Sequence, residues 1–193
     1  MIKFANGLFK YRELICALAW KNIVVRYKQA YLGIFWAVLK PLMLMVIFTL
    51  VRSFVGIESG DIPYPILTFA ALLPWVFFQE SASEGVNSVT SNAALVKKIY
   101  FPREVFPLTA MVTKLVELGI SFLILAGLMI YYQVIPTIYA LWVPAIIIYT
   151  MIVALTISFF GAALNVYYRD ISQALPVALS LAMYLSPVIY PLS

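Results

Sequence analysis

Long apolar runs alternate with short clusters of charge along this chain, and the runs are too long for the helices of a soluble core. They occupy residues 31–55, 66–89, 104–132, 138–166 and 172–190. Crossing a bilayer takes about 20 apolar residues in a helix, so the pattern predicts an all-α polytopic membrane protein with about five spans. Residues 30–193 then form one transmembrane domain. Residues 8–29 read differently, because Leu14, Ile15, Leu18, Trp20 and Ile23 are interleaved with Lys10, Arg12, Glu13, Lys21, Arg26 and Lys28. We expect residues 1–29 to form a cytoplasmic or interfacial amphipathic segment. Lys10, Lys21 and Lys28 are separated by eleven and seven residues, each close to whole helical turns, and so share a face. Arg12 and Arg26 point away from that face. A helix at the headgroups with snorkelling basic side chains tolerates this, and a soluble core helix is the competing reading.

The second run changes character along its length. Trp75, Phe77 and Phe78 are followed by Gln79, Glu80, Ser81, Ser83, Glu84, Asn87 and Ser88, a half-span that is costly to place against lipid. Lys40, Glu80 and Lys114 lie nine or ten residues from the cytoplasmic end of their span, and Glu117 lies one turn beyond Lys114. At 1.5 Å per residue the first three share a depth of roughly 12 to 16 Å. We expect these four to form a compensated charge layer facing the bundle; spans that protrude far enough for the groups to reach water are the alternative.

Between the second and third runs lies a short basic stretch from Ser91 to Pro107. Ser91 or Asn92 can cap a helix, and Pro102 disfavours helical geometry at Phe101, which leaves a helix of about two turns. Leu95 and Ile99, like Val96 and Tyr100, are four apart and give it an apolar side, while Lys97 and Lys98 sit near its C-terminal end, where the helix dipole favours them. Such a helix lies along a surface. Charge alone also fits a plain pair of positive flanks for the adjoining spans.

Composition narrows the chemistry. With 64% hydrophobic and 11% charged residues and a mean hydropathy of +0.99, the chain cannot cover a soluble globule with charge. It has no His and one Cys, which excludes the usual His/Cys zinc clusters, a disulfide framework, and Ser-His-Asp or Cys-His catalysis. Its eight glycines form neither a P-loop nor a dinucleotide fingerprint, so no cofactor is expected and any ATP is used elsewhere. The net charge of +5 comes from Lys and Arg clustered between apolar runs, which makes these residues orientation signals and argues against nucleic acid. Met1 to Phe9 lack the features of a cleaved signal peptide, so the first span is expected to be retained.

The basic stretch resembles the loop between the second and third spans of the bacterial ABC-type polysaccharide export permeases. Asn92, Leu95, Val96, Lys97, Lys98, Phe101, Pro102 and Arg103 match an Asn-x-x-Leu-Val-Lys-Lys-x-x-Phe-Pro-Arg pattern. Arg26, Tyr27, Leu32, Gly33, Trp36 and Pro41 match the opening of the first span, Tyr167-Tyr168-Arg169-Asp170-Ile171 a second inner loop, and Ser186 to Tyr190 the turn into the gate helices. The resemblance implies that residues 92–103, Ile99 included, are a coupling helix against a separate ABC ATPase. It further implies a permease homodimer with two ATPase chains, a lipid-linked glycan (O-antigen, capsule or teichoic acid) as cargo, and the bacterial inner membrane as location. The family's fold continues through gate helices and a sixth span, so we expect this sequence to be a fragment or a truncated product. The 16% of aromatic residues suits a passage in which rings stack on sugars, although each ring taken singly is as readily a packing residue.

A membrane-embedded enzyme of lipid or glycan metabolism is the rival, with Glu80, Glu84, Glu117 and Asp170 as its acids. No Asp-x-x-Asp or Asp-x-Asp cluster supports it, and Glu80 with Glu84 equally makes a polar helix face.

Charge placement predicts the topology. Lys3, Lys10, Arg12, Lys21, Arg26, Lys28, Lys97, Lys98, Arg103 and Arg169 all fall on one side, with at most Arg52 opposite, which puts the N-terminus inside. A cysteine introduced at Ser59 is expected to react with an impermeant reagent from outside and one at Ser91 to be protected; the reverse pattern inverts the assignment.

Overall fold

The computed structural model describes residues 11–28, 35–55, 63–98 and 102–186; the side chains of Ala37, residues 52–55 and Lys98 lie outside that description. Several expectations fall outside it as well: Lys10, Leu32, Gly33, Ser59, Ile99 and Phe101 of the basic stretch, and the turn from Pro187 to Tyr190. Among the described residues seven α-helices follow in order: α1 (Arg12–Tyr27), α2 (Trp36–Val55), α3 (Tyr64–Ser91), α4 (Ala93–Lys98), α5 (Val105–Tyr131), α6 (Val143–Tyr167) and α7 (Ile171–Leu185). A 3-10 turn, Ile138–Trp142, leads into α6, and no strand occurs among the described residues. Among the described residues three helical stretches are long and apolar enough to cross a membrane: Tyr64–Ser91, Val105–Tyr131 and Ile138–Tyr167. Shorter apolar helical segments, Val38–Val51 and Ile171–Leu185, coincide with the runs expected to hold the first and last spans.

The polar half of the second run explains which helix sits in the middle. In the most apolar window of α3, 56% of residues are buried, against 28% in α5 and 11% in the α6 segment. The helix with the most Ser, Asn, Gln and Glu is thus shielded by the others, as the cost of polar groups in hydrocarbon requires. It packs against α6, α5, α2 and α7. A core of Val38, Phe69, Leu73, Phe77, Met111, Leu118 and Ala154 joins four of these helices.

Small residues set the closest approach. Ala154, Ser158, Ala162 and Asn165 are the buried positions of α6, spaced by four, four and three residues, so they form one stripe along the face turned to α3. A Cβ at Gly85 of α3 would overlap the Ser158 side chain, and one at Gly161 of α6 would overlap Val86. Asn165 closes the stripe: its amide nitrogen lies 3.2 Å from the Val86 carbonyl, 3.2 Å from Asn87 Oδ1 and 3.3 Å from Thr90 Oγ1.

Helix ends mark the connections. Gln133 takes the left-handed conformation (φ 55), and Val134 N–H bonds back to the Met129 carbonyl at 2.9 Å. This ends α5 and turns the chain toward α6. At the other end of α3, the structure departs from the expected cap. The Asn92 side chain donates to the Ser88 carbonyl at 2.8 Å, closing α3, while the Asn92 backbone carbonyl accepts from Leu95 and Val96 to start α4. An amide side chain one turn past a helix's last carbonyls has acceptors within reach, and this competes with its use as an N-cap.

Replacing Gly85 or Gly161 by Val is expected to force α3 and α6 apart, lowering stability by roughly 1–3 kcal/mol. Gly119→Ala and Gly127→Ala, where an added Cβ meets nothing within 4 Å, are expected to be silent. Thermal unfolding of the detergent-purified protein checks the contrast, and equal losses at all four sites would remove the close approach as their cause.

Candidate functional site

Four helices bring charge to one place. Lys114 on α5 is buried and offers three N–H donors; its Nζ lies 2.6 Å from Glu117 Oε2, 2.9 Å from Glu80 Oε2 and 3.1 Å from Glu84 Oε1. Lys40 on α2 reaches Glu80 Oε1 at 3.1 Å. All four residues expected in the charge layer therefore meet, and the structure adds three more. Arg26 on α1 donates through Nη1 to Glu117 Oε1 at 2.9 Å and through Nη2 to Glu84 Oε1 at 2.5 Å. The Tyr27 hydroxyl donates to Glu117 Oε1 at 2.7 Å.

The cluster contains three cations and three carboxylates, each carboxylate bridging at least two cations. Burial is graded across it. The side chains of Lys114 and Glu117 are 5% and 7% exposed, whereas Lys40 and Arg26 are 47% and 37% exposed. Burial alone would lower the Arg26 pKa, but Glu84 and Glu117 outweigh it and raise the value, holding the guanidinium charged. Burial and the bond to Glu117 push the Tyr27 phenol up to about 12, so it remains a neutral donor at neutral pH. A cavity of about 520 Å³ opens beside the Arg26–Glu84 pair and is lined also by Lys21, Asn22, Asn87 and Thr109.

Sequence spacing within spans picked out Lys40, Glu80, Lys114 and Glu117, and ion pairs join all four in the structure. It missed Arg26, Tyr27 and Glu84. For Arg26 a signal existed: it is out of register with the lysine face of α1, and in the structure it turns toward the bundle that Ile15, Ala19 and Ile23 of α1 pack against. Glu84 is one turn from Glu80 on the same face of α3, but the chain carried no mark of which cation would meet it.

The basic stretch lies at the end of the bundle where α3 and α6 finish. Among its expected residues, Leu95 and Val96 are half-buried and Lys97, Pro102 and Arg103 are exposed. Arg169, exposed at the end of α6, lines the same groove of about 620 Å³ as Val96, Lys97 and Arg103. Asp170 is exposed, and its backbone carbonyl accepts from Gln173 and Ala174 to begin α7.

Lys114→Met leaves three carboxylates with two half-exposed cations and is expected to lower stability by roughly 3–5 kcal/mol. Lys40→Met removes a cation that reaches the surface and is expected to cost less than about 1 kcal/mol. Unfolding midpoints in one detergent compare the two directly, and equal effects would show that burial does not grade the network.

The sequence profile of the ABC-2 type transporter family matches residues 13–193. Among curated relatives, an O-antigen export system permease protein RfbA from Myxococcus xanthus is 30% identical over 194 residues, covering 100% of this chain and 74% of the relative. A permease of the same name from Klebsiella pneumoniae is 28% identical over 191 residues, covering 98% of this chain and 73% of its own length. A second Klebsiella pneumoniae permease is 28% identical over 180 residues, covering 92% and 69%. The match runs through α1, the charge cluster, the basic stretch and the last helix alike, and this multi-pass membrane chain belongs to the ABC-2 type transporter family.

Proposed function

We propose that this protein is the membrane-spanning subunit of an ATP-driven exporter of lipid-linked polysaccharide in the bacterial inner membrane. Its similarity along the whole chain to permeases named for O-antigen export carries this reading. O-antigen is the nearest cargo, with capsular polysaccharide and teichoic acid in the same class of glycan on a lipid carrier. ATP is hydrolysed on a separate subunit, two copies of which act with two copies of this chain. The N-terminus lies inside, residues 1–29 lie along the membrane surface, and five spans occupy residues 30–193.

The geometry supplies a physical route for coupling. Residues 92–103, with Leu95, Val96 and Ile99 as an apolar ridge and Lys97, Lys98 and Arg103 at its rim, dock against the ATPase. Asn92 ties the start of α4 to the last turn of α3, and Glu84 lies eight residues further up that helix, about 12 Å away. Movement of the ridge is thereby passed along α3 to the charge cluster, which holds α1, α2 and α5. Arg169 and Asp170 belong to the second inner loop beside the ridge. The rival enzymatic reading is less well supported, because Glu80, Glu84 and Glu117 are each engaged by at least two cations.

Leu95→Asp places a carboxylate in the docking surface, where an unpaired charge costs several kcal/mol. Co-purification of the ATPase subunit is expected to fall at least about tenfold, with folded yield of the permease nearly unchanged and glycan export lost. Normal pull-down together with normal export would reduce the segment to a loop.

A further inference from the structure

Three cations from two inner loops converge on one groove: Lys97 follows α3, Arg103 precedes α5, and Arg169 lies between α6 and α7. Among the described residues none of the three forms an ion pair, unlike the cations of the charge cluster. The floor of the groove is polar, with Asn87, Thr90 and Ser172. Like charges around one groove with no acid paired to them repel one another, so the groove favours an anion.

The groove does not end there. It shares Val89, Arg103 and Val166 with an adjoining cavity of about 450 Å³ between α5 and α6, lined further by Pro107, Phe159 and Ala163. Phe159 lies eight residues before Tyr167 at the end of α6, so this second cavity climbs about 12 Å from the helix ends toward the apolar middle of the bundle. Among the described residues Glu104 is its one acid, which leaves the combined described lining with three cations and one carboxylate. A cationic, hydrogen-bonding mouth continuing into a mostly apolar open cleft along helices long enough to span a membrane suits an amphiphile with an anionic head.

We infer that this two-part cleft binds an anionic glycerophospholipid of the leaflet at that end of the bundle, with the phosphate among Lys97, Arg103 and Arg169 and an acyl chain along Pro107, Phe159 and Val166. Basic pockets between membrane helices recognise phosphate headgroups in this way. A soluble phosphate would use the mouth but not the apolar cavity, and an acidic protein segment would leave the cavity empty; the lipid accounts for both parts. Lys97 and Arg103 also belong to the rim proposed for the ATPase, so the inference concerns the permease chain before its ATPase docks, and it does not depend on the export reading.

The test uses the full-length protein, purified without ATPase and offered equal amounts of phosphatidylglycerol and phosphatidylcholine, with retained lipid counted by native mass spectrometry. Phosphatidylglycerol is expected to be retained roughly tenfold over phosphatidylcholine. The paired change Arg103→Gln and Arg169→Gln, at exposed positions, is expected to bring that preference near unity. Ala163→Trp, which fills the apolar cavity without changing charge, is expected to lower retention several-fold. Equal retention of the two lipids, or a preference untouched by the paired change, overturns the proposal. So does stronger retention of a polyprenyl diphosphate in competition with phosphatidylglycerol, which would give the cleft to cargo. If the paired change releases an added ATPase subunit while lipid preference persists, the cations serve a protein contact and the proposal also falls.

Discussion

The buried ammonium of Lys114 must be compensated wherever it sits, and four helices are arranged to do so. An isolated charge in such a place costs several kcal/mol even after relaxation. Three carboxylates within 3.1 Å match the three donors of the ammonium, and this overcompensation then requires Arg26 and Lys40 to balance the acids. The result is that α1, α2, α3 and α5 cannot be moved independently without separating charges. Such a network contributes registry more clearly than net stability, because well-packed apolar residues would also fill the space.

A second constraint works through shape. On the other side of α3, Gly85 and Gly161 let the α3 and α6 backbones approach closely, and Asn165 pins the end of that contact. In lipid, where hydrophobic burial does not drive helices together, close packing and interhelical hydrogen bonds take its place. α3 is therefore held by charge on one face and by small-residue packing on another, which is why its polar half is tolerated at all.

These two constraints also explain how the ends of the bundle relate to its interior. α4 is joined to α3 by the Asn92 side chain at a chain reversal, so the basic stretch is a continuation of the most constrained helix. The loop cations Lys97, Arg103 and Arg169, which form no ion pair among the described residues, lie beyond the cluster in which each carboxylate bridges two cations. The contrast separates cations that organise the fold from those proposed to meet another molecule.

The apolar runs, the polar half of α3, the short helix before Pro102 and the grouping of Lys40, Glu80, Lys114 and Glu117 were all legible along the chain. Each follows from local rules: hydrocarbon thickness, helical rise, proline sterics and the cost of charge in lipid. The resemblance carried by Asn92 to Arg103 agrees with the family to which the chain belongs. Arg26, Tyr27 and Glu84 were not legible as members of the cluster, because Arg26 and Glu117 are 91 residues apart and no local rule says which face of α1 meets α5. The side chain of Asn92 likewise satisfies the helix behind it and not the one ahead, a choice between two sets of nearby backbone groups that only the folded geometry settles. Periodicity and composition assign a residue to a helix, a depth and a face; which faces meet depends on how whole helices pack, and that is a property of the assembled bundle.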